Sequence, residues 1–420
     1  MKSANGPARD FSLAKAALSE YNKAIEQRRE LPDFGDTAQT FAHLSDGELR
    51  HAGRMFRLMG VTWLTDLMAG LGVPAVRAGL PGAAWAVKHT VYRQFVGGTS
   101  LDNARPTIEK LYASRVTSIL DYGAEAKNTA ADYDNFMRET LRGIEFSAEA
   151  PAAEAVVIKV TALAPDDLLE RLNDTTLDLD RPQDPELVTT LERLDAICAR
   201  AAARGVHVYI DGEESWLQHT IDQLADHLMA RYNRAGFVVH NTFQLYRHDR
   251  LAFLRASHER ARAGGYRLGA KLVRGAYMVK ENARAAARGY ATPIQPSLAA
   301  THADYDEALR FCVEHHEEIS TCVGTHNEAS VRLLTELMAE RGIRRDHPNL
   351  RCAQLLGMSG NLTFNLAAGG YNAAKYLVYG PVQEVLPYLV RRAQENASVT
   401  GEMGRELAMI REEMKRRRLA

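Results

Sequence analysis

From residue 116 onward the chain alternates between short runs of β-branched and other apolar residues and longer stretches in which apolar side chains return every three or four positions. The first pattern predicts strands and the second predicts helices. Eight runs stand out, at residues 116–121, 155–160, 206–211, 237–244, 268–274, 320–325, 350–356 and 376–379. Each is followed by a polar cluster and then a helical stretch. Eight such alternations, with no doubled βαβαβ half, predict an α/β chain closed into a parallel (β/α)8 barrel of the TIM type. An open doubly wound sheet is the competing fold, but no Gly-x-Gly-x-x-Gly follows any of the runs. Residues 1–112 read as an N-terminal helical arm in which no strand is evident, 113–400 as the barrel, and 401–420 as a C-terminal helix and tail. In the arm, Ser45-Asp-Gly-Glu48 is a capping box ahead of Leu49, Met55, Phe56, Leu58 and Met59 at helical spacing.

The last run turns through Gly380-Pro381 into an amphipathic helix. On a 3.6-residue period Tyr388, Arg391, Arg392 and Glu395 share one side, and Val382, Leu386, Leu389 and Ala393 the other. Two guanidinia with a carboxylate one turn away suit a ligand that carries both an anion and a cation, such as an amino acid. Spacing alone favours a solvated face with an Arg391–Glu395 ion pair.

A barrel makes a further demand, because active sites in this fold sit at the carboxyl ends of the strands. Those ends are polar here: Asp121 and Glu125, Lys159, Asp211 and Glu213, Gln244, Lys271 with Arg274 and Tyr277, His326 with Asn327, and Tyr379. Each has a structural explanation when taken singly: Lys159 paired with a carboxylate, His326 hydrogen-bonded in the core, Asp211 capping a helix. Taken together, the cations exceed what one carboxylate substrate requires. Lys271, Arg274 and His326 lie on the fifth and sixth runs, away from Arg391 and Arg392, and point to a second anionic ligand such as a phosphate-bearing cofactor.

Composition narrows the partners. Charged residues make up 25% of the chain and the formal net charge is -1, which argues against nucleic-acid binding. Cys198, Cys312, Cys322 and Cys352 show no ligand spacing, and the first residues lack an apolar signal core, which reads as reduced thiols in an intracellular protein. No metal site is expected: His207, His240 and His326 are spread over three runs, and Glu314-His-His-Glu317 falls in a helical stretch. Residues 58–87 are the most apolar region but are broken by Asp66, Arg77 and two prolines. That region and the basic tail Lys415-Arg-Arg-Arg418 are candidates for contact with a membrane surface.

These motifs resemble the proline dehydrogenase family, in the branch that includes the mitochondrial enzymes and some bacterial single-function ones. The resemblance runs through Phe95-Val-Gly-Gly98, Ile119-Leu-Asp-Tyr122 with Glu125, Lys159, Asp211-Gly-Glu-Glu214, Asn241-Thr-Phe-Gln-Leu-Tyr246, Lys271-Leu-Val-Arg-Gly-Ala-Tyr277, Pro293-Ile-Gln-Pro296, Thr325-His-Asn-Glu328, Gln354-Leu-Leu-Gly-Met358 and the segment from Tyr379 to Asn396. It implies a distorted barrel with FAD held non-covalently at its mouth and L-proline against the flavin. It implies that electrons pass to a membrane quinone, with transient membrane contact, and that the protein is cytoplasmic or peripheral at the inner face of the cell membrane, a mitochondrial location remaining open. By motif position Arg391, Arg392 and Lys159 bind the proline carboxylate, Tyr277 and Tyr379 pack against its ring, and Glu395 helps hold the arginine pair. Asp211 belongs to the same catalytic set, and Glu125 pairs with Arg391 when the site closes. Cofactor positions are Gln244, Lys271, Arg274, Gly275, Thr325, His326, Asn327 and Leu355. Lys271 and Met278 depart from the family pattern, standing where many bacterial members carry Arg and some members Trp. Three alternatives remain at this level: a Schiff-base lyase acting through Lys159 or Lys271, a metal-dependent hydrolase, and a barrel that binds proline or FAD without turnover.

Overall fold

The computed structural model describes residues 31–59, 92–123, 129–389, 391–392 and 402–419. Glu125, Glu395 and the side chains of 58–87 lie outside the described residues. Nine parallel strands form one sheet: β1 (Val96–Gly98), β2 (Val116–Tyr122), β3 (Ala153–Ile158), β4 (His207–Ile210), β5 (Val239–Gln244), β6 (Leu268–Val273), β7 (Ile319–Gly324), β8 (Leu350–Leu355) and β9 (Ala373–Tyr379). Strands β2 to β9 pair in sequence order and close on themselves, because β9 bonds both β8 and β2. This is the eight-stranded parallel α/β barrel that the alternating pattern predicts, and each of the eight runs is a strand.

The ninth strand corrects the expectation of a strandless arm. β1 lies beside β9, with Val96 opposite Val378. Its two glycines permit the approach: a Cβ on Gly98 would stand 2.5 Å from the Asn103 and Ala104 backbone, and one on Gly97 would stand 2.3 Å from the Leu377 side chain. A three-residue strand with two glycines carries no alternation to read.

Helices follow the strands and pack their apolar faces on the barrel wall. In β2, β3, β6 and β9 the outward positions Leu120, Val156, Leu272 and Leu377 join the large core shared with the helices. The inward positions Ile119, Val157, Tyr209, Cys322, Ala353 and Ala374 form a separate core inside the barrel. A third cluster joins the two ends of the chain. The helix Asp46–Met59 packs against the C-terminal helix Glu402–Arg416, close enough that a Cβ on Gly53 would lie 3.2 Å from Ile410. The capping box of the first helix is formed, with Ser45 N donating to Glu48 Oε2 at 2.9 Å and Glu48 N donating to Ser45 Oγ at 3.3 Å.

The basic tail is folded back in the same place. Arg416 and Arg417 bond to buried Glu413, and Arg417 also donates to the carbonyls of Phe41 and Leu44 at 2.7 Å. The Arg417 guanidinium holds the terminal helix to the arm, while exposed Arg416 pairs with Glu413 of its own helix. Among the described residues no helix is long and apolar enough to cross a membrane.

Candidate active site

Strand alternation decides what faces the barrel mouth. With Ile119, Val157, Tyr209 and Ala374 pointing inward, the next inward positions along β2, β3, β4 and β9 are Asp121, Lys159, Asp211 and Tyr376. Across the barrel, β6 supplies Lys271 and β5 supplies Gln244.

The centre of this ring is a three-strand bridge. Lys271 Nζ donates to Asp211 Oδ1, and the Tyr376 hydroxyl donates to Asp211 Oδ2 at 2.8 Å. The Lys271 ammonium also lies 5.1 Å from the centre of the Tyr376 ring. Asp211 is therefore an acceptor inside the barrel and not a helix cap; the next helix (Ser215–Tyr232) begins with Glu214 at its cap position.

Carboxylates crowd the mouth. Burial and the neighbouring Asp211 carboxylate push Asp121 up to about 6, while Lys159, Lys271 and Arg391 pull it down. Burial pushes Glu213 up to about 7, opposed by Lys159 and by the Thr161 hydroxyl and amide, which donate to it at 2.6 and 3.1 Å. Tyr277 is held well above the usual phenol range by burial and by Glu213, Glu214 and Asp211, with Arg391 opposing. Arg391 is thus within electrostatic reach of both Asp121 and Tyr277. Its neighbour Arg392 is buried, with its guanidinium 5.4 Å from the centre of the Tyr388 ring. Tyr388 itself packs in the cluster with Phe95 and Leu389, so the polar side read from the helical wheel is half apolar.

The β6 and β7 ends carry the second group of donors. Arg274 spreads its fork over three partners: Nε to His302 Nδ1 at 2.8 Å, one terminal nitrogen to Thr325 Oγ1 at 2.7 Å and the other to Ser330 Oγ at 3.0 Å. The guanidinium also stacks 4.2 Å from the centre of the Tyr305 ring. Gly275 follows with φ +141°, where a Cβ would strike the Tyr246 ring at 2.4 Å, so the turn needs glycine. Gln244 Nε2 donates to the Glu213 carbonyl at 2.7 Å. His326 Nδ1 pairs with Ser359 Oγ at 2.8 Å, and burial with Lys375 and Arg392 nearby lowers it to about 3, so the ring is neutral at ordinary pH. The Asn327 side chain is spent on capping the helix Glu328–Glu340, accepting from Ser330 N at 3.0 Å. The Leu355 carbonyl accepts from Lys375 Nζ at 3.3 Å.

Two placements differ from the sequence reading. Tyr379 is on the outer wall: its hydroxyl would lie 3.7 Å from a Cβ on Gly143 of the helix Ala130–Glu149, and its ring centre is 5.5 Å from that of Tyr122. It cannot pack against a ligand in the mouth; Tyr376, three residues earlier, points inward instead. The second is Lys375, which no motif singled out. It lies buried on the outer side of β9, donates to the Met358 carbonyl at 2.5 Å, and is drawn down to about 7 by burial against the pull of Glu406. Glu406 belongs to the C-terminal helix and accepts from Ser359 N at 3.1 Å. A pocket of about 260 Å³ opens between that helix and the β7 and β8 ends, bordered by His326, Asn327, Ser359, Arg405 and Glu406.

Comparison with known proteins gives a consistent set. A family model described as proline dehydrogenase matches residues 104–405. "Proline dehydrogenase 1, mitochondrial" of Arabidopsis thaliana is 28% identical over 445 residues, covering 95% of this chain and 89% of that protein. "Hydroxyproline dehydrogenase" of Xenopus laevis is 31% identical over 368 residues, covering 79% of each. Among solved structures, proline utilization A from Bdellovibrio bacteriovorus, inactivated by N-propargylglycine, matches with a TM-score of 0.67 at 21% identity. The match covers 95% of this chain and 40% of that one, and at this identity the likeness is one of fold.

Proposed function

This chain belongs to the proline dehydrogenase family, and from that premise we propose that it oxidises L-proline to Δ1-pyrroline-5-carboxylate with FAD as its redox cofactor, the first step of proline catabolism to glutamate. The observation that carries the reading is the convergence of Lys159, Arg391, Asp121, Asp211, Lys271 and Tyr376 at one barrel mouth. Cations for a carboxylate and carboxylates for a ring nitrogen stand within one another's electrostatic reach there.

The donor set suits FAD. Lys271, Gln244, Arg274 and Thr325 offer cations, an amide and a hydroxyl from adjacent strand ends, as a flavin with an anionic diphosphate requires. Beside them, on the first turn after Gly275, Met278 and Val279 are 53% and 78% exposed, an apolar step that a flat heteroaromatic group would cover. FAD held by these residues would supply a two-electron hydride acceptor. The chain's task is placement. Arg391, Arg392 and Lys159 hold the substrate carboxylate, and Tyr277 and Tyr376 flank the ring. Asp211 fixes Lys271 and Tyr376 relative to each other. Oxidation removes a hydride from the ring carbon next to nitrogen and a proton from nitrogen, leaving a C=N bond, so the amine must be neutral when the hydride leaves. Glu125 pairing with Arg391 on closure, and Glu395 holding the arginine pair, complete the proposal. The electron acceptor is proposed to be a membrane quinone, reached by transient surface contact; family membership supports this.

Turnover of L-proline with an artificial dye acceptor tests the reading against a barrel that only binds its ligands. Reduction of the dye at a rate that saturates with proline supports the enzyme; flavin binding without turnover supports the binding protein.

Two further results are expected. Tyr376→Phe leaves Asp211 Oδ2 without its donor and should lower kcat/KM about tenfold, the worth of one hydrogen bond to a charged group. Tyr379→Phe, on the outer wall, should change kcat/KM by less than about twofold; equal losses would overturn the assignment of the two faces. Asp121 gives the pH dependence. Its raised value means that kcat/KM for proline should rise with pH through a limb near 6 as the carboxylate forms beside the substrate nitrogen. Asp121→Asn should remove that limb. Since the folded-state value lies above the unfolded one, Asp121 contributes stability that is full below its unfolded value and is lost as pH rises through about 6. Asp121→Asn should flatten the stability profile over the same interval.

A further inference from the structure

The sequence reading placed the His-His-Glu cluster around residue 315 in a helix and expected no metal. The structure places it elsewhere. The helix Leu298–Glu314 ends at Glu314, His315 is its C-cap, and residues 316–318 form the turn that enters β7 at the amino-terminal floor of the barrel, opposite the catalytic mouth. In a turn, successive side chains diverge, and the four consecutive residues 315–318 divide between two three-donor groups: His258, His315 and Glu318, and His316, Glu317 and His347.

The two groups differ in how far their donors are already committed. In the first, His258 Nε2 and Glu318 Oε2 are in direct hydrogen bond at 2.7 Å, and Arg262 Nε stands 3.5 Å from the same oxygen. A cation already occupies the neighbourhood of that carboxylate. In the second, Glu317 Oε1 is 3.4 Å from His316 Nε2 and 3.4 Å from His347 Nε2, and the three donor atoms lie within 4.8 Å of one another. Donors held about 2.0–2.1 Å from a tetrahedral ion are separated by about 3.3–3.4 Å along each edge, so both N···O distances match that spacing.

The surroundings fix the donors in place. His316 Nδ1 faces the Val313 carbonyl at 3.0 Å; a carbonyl only accepts, so Nδ1 carries a hydrogen and Nε2 is the nitrogen directed towards Glu317. A backbone carbonyl behind a ligating imidazole is the arrangement that orients histidines at metal centres. Side-chain amides clamp both histidine backbones: Asn349 donates to the His316 carbonyl and Asn372 to the His347 carbonyl, each at 2.8 Å. His347 Nδ1 accepts a long 3.3 Å bond from Asn349 N, so ligation at Nε2 requires the other tautomer and the loss of that bond. Both imidazoles are half-buried and Glu317 is exposed, which leaves the outer coordination position open to water.

We propose that His316, Glu317 and His347 bind one divalent transition-metal ion of the zinc class, joining the turn before β7 to the turn before β8. His₂Glu with an open position suits Zn²⁺ by donor type and geometry. The ion acts as a staple on the barrel floor, and its removal leaves the chemistry at the mouth untouched.

Zinc titration of chelator-stripped full-length protein against a chromophoric competitor tests this, together with the melting temperature at saturating zinc. One ion per chain is expected, with micromolar affinity and a rise in Tm of about 2–4 °C. His316→Ala and His347→Ala should each weaken binding at least about tenfold, and His316→Asn and His347→Asn provide the same loss with a smaller change of volume. His315→Ala should bind as the parent does. Absence of saturable binding in protein whose circular dichroism is native would overturn the proposal. So would binding that survives both His316 and His347 substitutions, or binding lost in His258→Ala and His315→Ala, which would assign the ion to the neighbouring group.

Discussion

Asp211→Ala should abolish most proline turnover, lowering kcat/KM about 100- to 1000-fold, and should cost the fold about 3–5 kcal/mol. The reason is the position of Asp211 between β6 and β9. The Lys271 side chain is 8% exposed, and its ammonium and the Tyr376 hydroxyl both end on this carboxylate. Truncation leaves a buried cation without its partner and frees two side chains whose placement the reaction depends on. Asp211→Asn separates the two effects. Its amide oxygen can still accept from one donor but carries no charge, so stability should recover further than turnover. Urea denaturation and steady-state kinetics on the same preparations check both parts. A variant with wild-type kcat/KM would show that the bridge is structural only.

Loss of either guanidinium on the last helix is the second large effect. Arg391→Ala and Arg392→Ala should each raise KM for proline about 10- to 150-fold, corresponding to about 1.5–3 kcal/mol for a hydrogen bond to a charged group. The two should not be equivalent. Arg391 acts on Asp121 and Tyr277 at the mouth, whereas Arg392 is buried against Tyr388, so only the second should also lose stability. Lysine at either position keeps the charge without the paired hydrogen bonds and should fall between parent and alanine. The double alanine variant should lose less than the product of the single effects, because both arginines serve one carboxylate.

The barrel was legible in the sequence because its strands are buried on both faces and end in polar residues, so each run has a clear start and stop. β9 shows where that reading thins out. It begins at Ala373, three residues before the apolar run, in an Ala-Ala-Lys stretch with no strand signature. With only residues 376–379 recognised, the strand-end rule selected the last tyrosine, whereas side-chain alternation selects Tyr376. The rest of the mouth followed from position alone: Lys159, Asp211 and Lys271 each stand at an inward position at or near a strand end. What sequence could not convey was pairing across the barrel. Nothing in local spacing links Tyr376 to Asp211, Arg274 to His302 and Ser330, or Lys375 to Glu406 at the far end of the chain. Asn327 illustrates the converse: its motif position suggested a ligand contact, while its side chain caps a helix. The floor cluster was set aside for the same reason, since His347 joins His316 only after the chain has passed through a further helix.

The most direct test of the central claim is an anaerobic absorption spectrum of the purified holoprotein before and after L-proline is added. An oxidised-flavin band should bleach on addition of L-proline and persist with D-proline, whose inverted α-carbon displaces the ring relative to the clamped carboxylate. A protein reconstituted with FAD whose band is unmoved by saturating L-proline would contradict it.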